Sequence, residues 1–191
     1  INSFIEFVES RKRFSKKVSL ENMEYFVSLF DHPEKKFKSI HVTGTNGKTT
    51  TAYLIYQMLN KLNIKCAYIG TIGYYLDKKI CNLPNTSSDV CELYDMIINA
   101  YDNGYMNIVM EVSSQGLDMN RLDSIKFDYA IFTNLTQDHL DYHKTMENYA
   151  KAKQKLFYNL KENGISIINS DDKYNSYFKI NTYVEYGMNS K

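Results

Sequence analysis

At 191 residues with 43% hydrophobic content, the chain can bury one substantial core and a small appendage. Its 23 Lys and Arg against 22 Asp and Glu leave a net charge of +1, so no electrostatic case exists for a nucleic-acid or anionic-membrane partner. Cys66, Cys81 and Cys91 are odd in number and lack C-x-x-C spacing, which argues against a disulfide framework or zinc site and for a reducing cytoplasm.

Residues 1–14 mix Glu6, Glu9, Arg11, Lys12 and Arg13 with scattered apolar residues, without the uninterrupted apolar run of a signal peptide. No segment reaches the length of a membrane span. From Ser19, a candidate N-cap, to Phe30 the residues Met23, Phe26, Val27 and Phe30 mark one helical face, closed by Asp31-His32-Pro33. This predicts a lead-in helix within an N-terminal segment of residues 1–38. Residues 39–43 are short and β-prone, and residues 50–63 place Leu54, Ile55, Met58, Leu59 and Leu62 at helical spacing. Residues 65–70 read as a second strand, followed by a Gly- and Lys-bearing excursion through Cys81. In the polar turn at residues 85–89, Asp89 is placed to cap a helix and form a capping box with Glu92. Val90, Leu93, Tyr94, Ile97, Ile98 and Tyr101 form that helix's apolar stripe. Residues 107–112 and 129–133 are almost continuously apolar, as parallel strands covered on both faces must be. Thr145 is placed to cap a helix over residues 146–160, and strands are predicted over 164–169 and 182–186. Strands alternating with helices predict an α/β fold with a mostly parallel, doubly wound sheet spanning residues 39–191.

Between the first strand and its helix lies Thr43-Gly44-Thr45-Asn46-Gly47-Lys48-Thr49-Thr50-Thr51. Gly44 and Gly47 permit a tight turn that brings backbone N–H groups against phosphate oxygens, Lys48 supplies positive charge and Thr49 a hydroxyl suited to Mg²⁺. The general phosphate-loop pattern would place its first glycine at position 42, which is Val42, so the loop is a variant. The competing reading is a strand-to-helix turn that binds nothing.

Ligands of such sheets gather at the carboxyl ends of the strands. Four polar segments fall there, at Gly44, at Glu111-Val112-Ser113-Ser114, at residues 133–139 and at Asn169-Ser170-Asp171-Asp172. Glu111 closes an apolar strand, where a carboxylate needs compensation: a nucleotide-bound Mg²⁺, a helix terminus, or pairing with Arg121. His139, inside Asp138-His139-Leu140-Asp141-Tyr142-His143, is either a metal ligand oriented by Asp138 or Asp141, or a hydrogen-bonded structural residue; His143 takes the structural reading. Lys153 lies on the apolar face defined by Met146, Tyr149, Leu156, Phe157 and Leu160. Either it snorkels to solvent, or desolvation lowers its pKa and leaves an amine able to add CO₂, becoming an anionic carbamate ligand for a second Mg²⁺.

Taken together these segments resemble the Mur ligase superfamily, most closely its UDP-N-acetylmuramoyl-tripeptide synthetases. The resemblance rests on the loop from Thr43 to Thr51, Asn85-Thr86 with Asp89, Met110-Glu111-Val112-Ser113-Ser114, and the long block from Thr133 through His143 to Lys153-Gln154-Lys155-Leu156-Phe157. It implies a cytoplasmic, ATP-dependent ligase that forms an amide bond through an acyl phosphate, joining an amino acid to a muramoyl-peptide carboxylate in peptidoglycan synthesis. By that analogy Gly44, Thr45, Asn46, Gly47, Lys48, Thr49 and Thr50 hold the ATP phosphates, and Thr49 and Glu111 hold one Mg²⁺. His139 and carbamylated Lys153 serve a second. Thr86, Ser87, Ser113 and Arg121 meet the acceptor, and Asn169 and Asp172 border the adenosine.

Two positions depart from the family pattern. The usual Thr-Thr-Pro-Asp is Thr86-Ser87-Ser88-Asp89, and a histidine after the paired serines is Gln115; both touch the acceptor side. The lead-in at residues 19–40 resembles folylpolyglutamate synthases instead. The family's UDP-binding N-terminal domain and amino-acid-binding C-terminal domain are not recognised, so the expectation is a monomeric, truncated central domain that binds ATP weakly and does not complete ligation alone. A folate ligase and a non-catalytic nucleotide-binding module stand as alternatives.

Overall fold

The computed structural model describes Ser28, residues 32–123 and residues 125–188. Apart from Ser28, the predicted lead-in helix at residues 19–30 lies outside the described residues. A short helix α1 (Pro33–Lys36) leads into the central strand β1 (Lys38–Thr43), and the glycine loop then opens α2 (Lys48–Lys61). There follow β2 (Cys66–Gly70), β3 (Gly73–Tyr75), β4 (Lys79–Cys81), α3 (Val90–Asp102), β5 (Asn107–Glu111), α4 (Ser114–Asp118) and β6 (Phe127–Phe132). The chain continues through α5 (Leu140–His143), α6 (Met146–Tyr158), β7 (Leu160–Asn169), a 3₁₀ turn (Asn175–Phe178) and β8 (Thr182–Tyr186).

These strands form one sheet in the order β4-β3-β2-β5-β1-β6-β7-β8. From β2 to β8 every pairing is parallel, and only the β2-β3-β4 meander is antiparallel. The expected doubly wound α/β sheet is therefore present. The excursion after residue 70, read from sequence only as a connection, is that hairpin; each of its strands is three residues long, too short for a period to register.

Both faces of the parallel strands are covered, so successive residues feed different cores. Ala67, Ile69, Ile108 and Met110 join the larger core with Leu93, Ile97, Leu117, Tyr149 and Phe157 from α3, α4 and α6. Cys66, Tyr68 and Val109 join the smaller core under α2, with Val42, Ala52 and Tyr56. Asp89 caps α3 by accepting from the Glu92 amide at 3.0 Å, and Thr145 caps α6 by accepting from the Asn148 amide at 3.1 Å, as the local patterns predict.

The helix predicted over residues 50–63 is present, but only Ile55 and Leu59 of the residues whose spacing marks it pack toward the sheet. α2 buries Ala52 and Tyr56, with Tyr53, Ile55 and Leu59 partly covered, whereas Leu54, Met58 and Leu62 are exposed. Small Ala52 lets the helix approach the sheet closely, and the amphipathic Tyr53 and Tyr56 supply the contact area that aliphatic spacing alone assigned to the neighbouring face.

β1 sits at the topological switch: the chain builds β2 and β5 on one side of it, then crosses to β6 on the other. Val42 pairs with Glu111, and Thr43 with Phe132. The loop after β1 consequently opens between the carboxyl ends of β5 and β6, where such sheets bind ligands.

Candidate active site

Gly44 and Gly47 have φ of 152° and 78°, conformations that side chains resist, and a Cβ at Gly44 would also collide with the Thr133 hydroxyl. Gly47 is the N-cap of α2 and provides no side-chain cap, so the first-turn amides of Lys48, Thr49 and Thr50 face the loop mouth with the positive end of the helix dipole behind them. The amides of Thr45 and Asn46 are committed elsewhere: they donate to the Asn134 carbonyl at 2.8 Å and to Asn134 Oδ1 at 2.9 Å. Asn134 Nδ2 and Thr133 Oγ1 in turn donate to the Asn46 carbonyl, at 3.0 and 2.7 Å. The segment after β6 thus sets the shape of the loop, and the amides at the start of α2, from Lys48 onward, are the ones placed to meet an anion. Nothing local in the sequence marks Asn134, because its partner Asn46 lies 88 residues earlier.

Lys48 Nζ folds back onto the Gly44 and Thr45 carbonyls at 3.0 and 2.9 Å. Burial lowers its pKa, and the charges of Glu111 and Asp138 partly oppose that shift. Thr49 Oγ1 donates to Glu111 Oε2 at 2.7 Å. Glu111 is fully buried, and its remaining donors are the Tyr68 hydroxyl and the Thr71 amide on Oε1 and the Thr71 hydroxyl on Oε2. Pairing with Arg121 does not occur: Arg121 Nη1 donates to the Ser87 carbonyl at 2.9 Å.

Lys153 does not snorkel. It is 1% exposed, its Nζ donates to the Gly44 carbonyl at 2.8 Å, and it lies 4.7 Å from the centre of the Tyr149 ring. Burial, followed by the positive charge of Lys48, holds its pKa well below the ordinary lysine value, with Asp138 opposing. The Tyr149 hydroxyl is 3.3 Å from Thr45 Oγ1, and its ring approaches the His139 ring edge-on at 6.1 Å. Tyr149 therefore links the loop, Lys153 and His139, although the sequence marks it only as part of an apolar face. His139 is about half exposed, with Nε2 3.5 Å from Asp138 Oδ2. His143 is buried, bonded to Ser114 Oγ at 2.9 Å and stacked on Tyr149, in keeping with a structural role.

On the other side of Glu111 the four predicted acceptor residues, Thr86, Ser87, Ser113 and Arg121, line one cleft with Gln115 and Met119. Ser87 Oγ accepts from the Ser113 amide at 2.9 Å and the Ser113 hydroxyl at 3.1 Å, while Thr71 Oγ1 is 3.0 Å from Thr86 Oγ1. Thr71 so connects the Glu111 carboxylate to the cleft. Asn169 and Asp172 tie strand ends together: Asn169 Nδ2 donates to the Thr133 carbonyl at 2.8 Å, and Asp172 Oδ2 accepts from the Leu135 amide at 2.7 Å.

The Thr49 hydroxyl and Glu111 carboxylate form a hard-oxygen pair at the helix start, the donor chemistry a nucleotide-borne Mg²⁺ requires. Among the described residues no group of three or more His, Cys, Asp or Glu could hold a metal. As an unmodified amine, Lys153 offers such an ion no anionic oxygen.

Residues 42–191 match the Mur ligase middle domain. The chain belongs to the Mur ligase family. This Mur ligase domain is 44% identical over 147 residues to the UDP-N-acetylmuramoyl-L-alanyl-D-glutamate--2,6-diaminopimelate ligase of Fusobacterium nucleatum, covering 77% of the chain and 30% of that protein. It is 40% identical over 171 residues to the corresponding L-lysine ligase of Staphylococcus aureus, covering 86% and 35%. A solved 2,6-diaminopimelate ligase superposes with a TM-score of 0.75 at 31% identity, covering 87% of the chain and 35% of that structure. Folylpolyglutamate synthase from Mycobacterium tuberculosis superposes at 0.69 with 17% identity, covering 87% and 47%, which shows a shared fold alone. The chain spans about a third of the length of the curated relatives it matches. Among the described residues no helix is long and apolar enough to cross a membrane.

Proposed function

We propose that this domain presents the γ-phosphate of ATP to a muramoyl-peptide carboxylate, within a ligase that then joins an amino acid to the resulting acyl phosphate. The observation that carries the reading is that Thr71 touches both Glu111 and Thr86, so that a phosphate loop and a cleft containing Arg121 share one wall. A carboxylate oxygen attacks the γ-phosphorus and ADP departs; the amino-acid nitrogen then attacks the acyl carbon, phosphate leaves, and the ammonium proton passes to solvent. The amides from Lys48 to Thr50 and the Lys48 ammonium hold the transferring group, and Arg121 with the Ser87–Ser113 pair fixes the acceptor. Thr49 and Glu111 would hold Mg²⁺, which when bound offsets charge repulsion between nucleotide and carboxylate. Carbamylation of Lys153, in which the neutral amine adds CO₂ and releases a proton, would place one negative charge shared over two oxygens beside the loop, and that group with His139 would serve a second cation.

The matched relatives use different amino acids, diaminopimelate in one and lysine in the other, at similar identity to this chain. Overall identity across this domain therefore does not distinguish the two amino acids. Full-length protein supplied with ATP, UDP-muramoyl dipeptide and a panel of amino acids should release phosphate only when an amino acid is present. No release with any of them would refute this substrate assignment.

A further inference from the structure

Tyr68 lies in β2 with its ring fully buried, yet a phenylalanine would fill the same space without burying a hydroxyl that needs a partner. Its ring is enclosed by Tyr53, Tyr56 and Tyr75 at centroid separations of 5.5, 6.0 and 5.7 Å, which fixes its direction. That direction carries the hydroxyl to Glu111 Oε1, which also accepts from the Thr71 amide at 2.9 Å. The other carboxylate oxygen, Oε2, meets hydroxyls alone, those of Thr49 and Thr71. The two oxygens are thus unequal, one clamped from the sheet and one turned to the loop. Gly70 makes room for the clamp, because a Cβ there would overlap both Glu111 Oε1 and the Tyr68 hydroxyl.

We propose that Tyr68 is a positioning residue that holds Glu111 with Oε2 directed at the phosphate loop, so that the nucleotide's Mg²⁺ meets a carboxylate already aimed. This rests on the reading of Glu111 as the Mg²⁺-facing carboxylate. The sequence masks Tyr68 as one apolar residue in a wholly buried strand, while its partner lies 43 positions away. Hydrogen bonds from neighbouring groups to a ligating carboxylate fix its orientation, and losing one weakens metal affinity by roughly ten- to hundredfold.

The test is the affinity of the full chain for ADP, titrated with Mg²⁺ and again in EDTA, for wild type, Tyr68→Phe, Gly70→Ala and Glu111→Gln, with melting curves for each. Tyr68→Phe retains the ring and its packing. The Mg²⁺ concentration that half-tightens ADP binding should rise roughly ten- to hundredfold in Tyr68→Phe and Gly70→Ala, while affinity in EDTA stays at the wild-type value. A general structural defect would weaken binding equally in both buffers, and that result would overturn the proposal. Wild-type Mg²⁺ dependence in either folded variant, with Glu111→Gln impaired, would also overturn it and leave the Glu111 reading standing. Wild-type Mg²⁺ dependence in Glu111→Gln, or none in the wild-type protein, would overturn the Glu111 reading itself.

Discussion

Lys153 on α6 donates to the carbonyl oxygen of Gly44 at 2.8 Å, tying a buried lysine to the start of the glycine loop after β1. Gly44 also accepts from Lys48, so two cationic side chains converge on one backbone oxygen, and Lys48 is a cause of the lowered Lys153 pKa. In the folded protein Lys153 binds its proton less tightly than in the unfolded chain. Below the unfolded value of 10.5 the unfolded state therefore holds more protons, and the native state loses stability as pH falls toward the depressed folded pKa. Each unit of depression corresponds to about 1.4 kcal/mol. In CO₂-free buffer Lys153→Met should thus be more stable than wild type at pH 7, with the gap closing as pH approaches 10.5. Urea denaturation at several pH values measures this, and a gap independent of pH would refute it.

The same lowered pKa leaves a larger share of neutral amine near pH 8, the form that adds CO₂. A crystal structure grown in bicarbonate should show a carbamate on Lys153; a bare amine at good resolution would end the claim. In the full-length ligase, Lys153→Ala should lose phosphate release and regain part of it with a short-chain carboxylate. That rescue would also exclude a purely regulatory, non-catalytic module.

Much of the architecture is legible in the sequence because it is local. The loop, the caps at Asp89 and Thr145 and the apolar strand runs each depend on residues within a few positions of one another. Lys153 stands out for the same reason, as a charge on an apolar helical period. What escapes is set by distant pairing. Asn134 shapes a loop 88 residues earlier, and Tyr149 reaches Thr45 across 104. The buried face of α2 is only partly legible because Leu54, Met58 and Leu62 carry the aliphatic signal, whereas tyrosines do the packing. Tyrosine serves core and surface equally well, so a chain with 17 of them blurs the helical period.

His41 in β1 offers a test of the core itself. Its ring stacks on Phe127 at 3.7 Å between centroids, and its Nδ1 is buried without a hydrogen-bond partner. Burial, with a smaller contribution from the charge of Lys161, pushes its pKa down to about 3 from 6.5. The unfolded chain binds a proton that the native state refuses between those values, so the stability is fully present above pH 6.5 and is lost as pH falls toward 3. The slope should be about 1.4 kcal/mol per pH unit from this residue alone. His41→Phe should flatten the acid limb of the stability curve between pH 6 and 4, and an unchanged limb would refute the assignment.

Arg121 separates the two halves of the site. Its guanidinium donates to the Ser87 carbonyl at 2.9 Å and lines the cleft proposed for the acceptor, with no hydrogen bond to Glu111 or the loop. Arg121→Lys keeps the charge but loses the planar fork that can hold a backbone oxygen and an acceptor carboxylate together. A lost hydrogen bond to a charged group costs about 1.5–3 kcal/mol, so kcat/KM for the muramoyl peptide should fall roughly 10- to 150-fold. ADP affinity should be unchanged, since the loop amides, Lys48 and Thr49 are untouched. A matched loss of ADP affinity would mean that Arg121 supports the domain as a whole, and the division of the site at Thr71 would have to be redrawn.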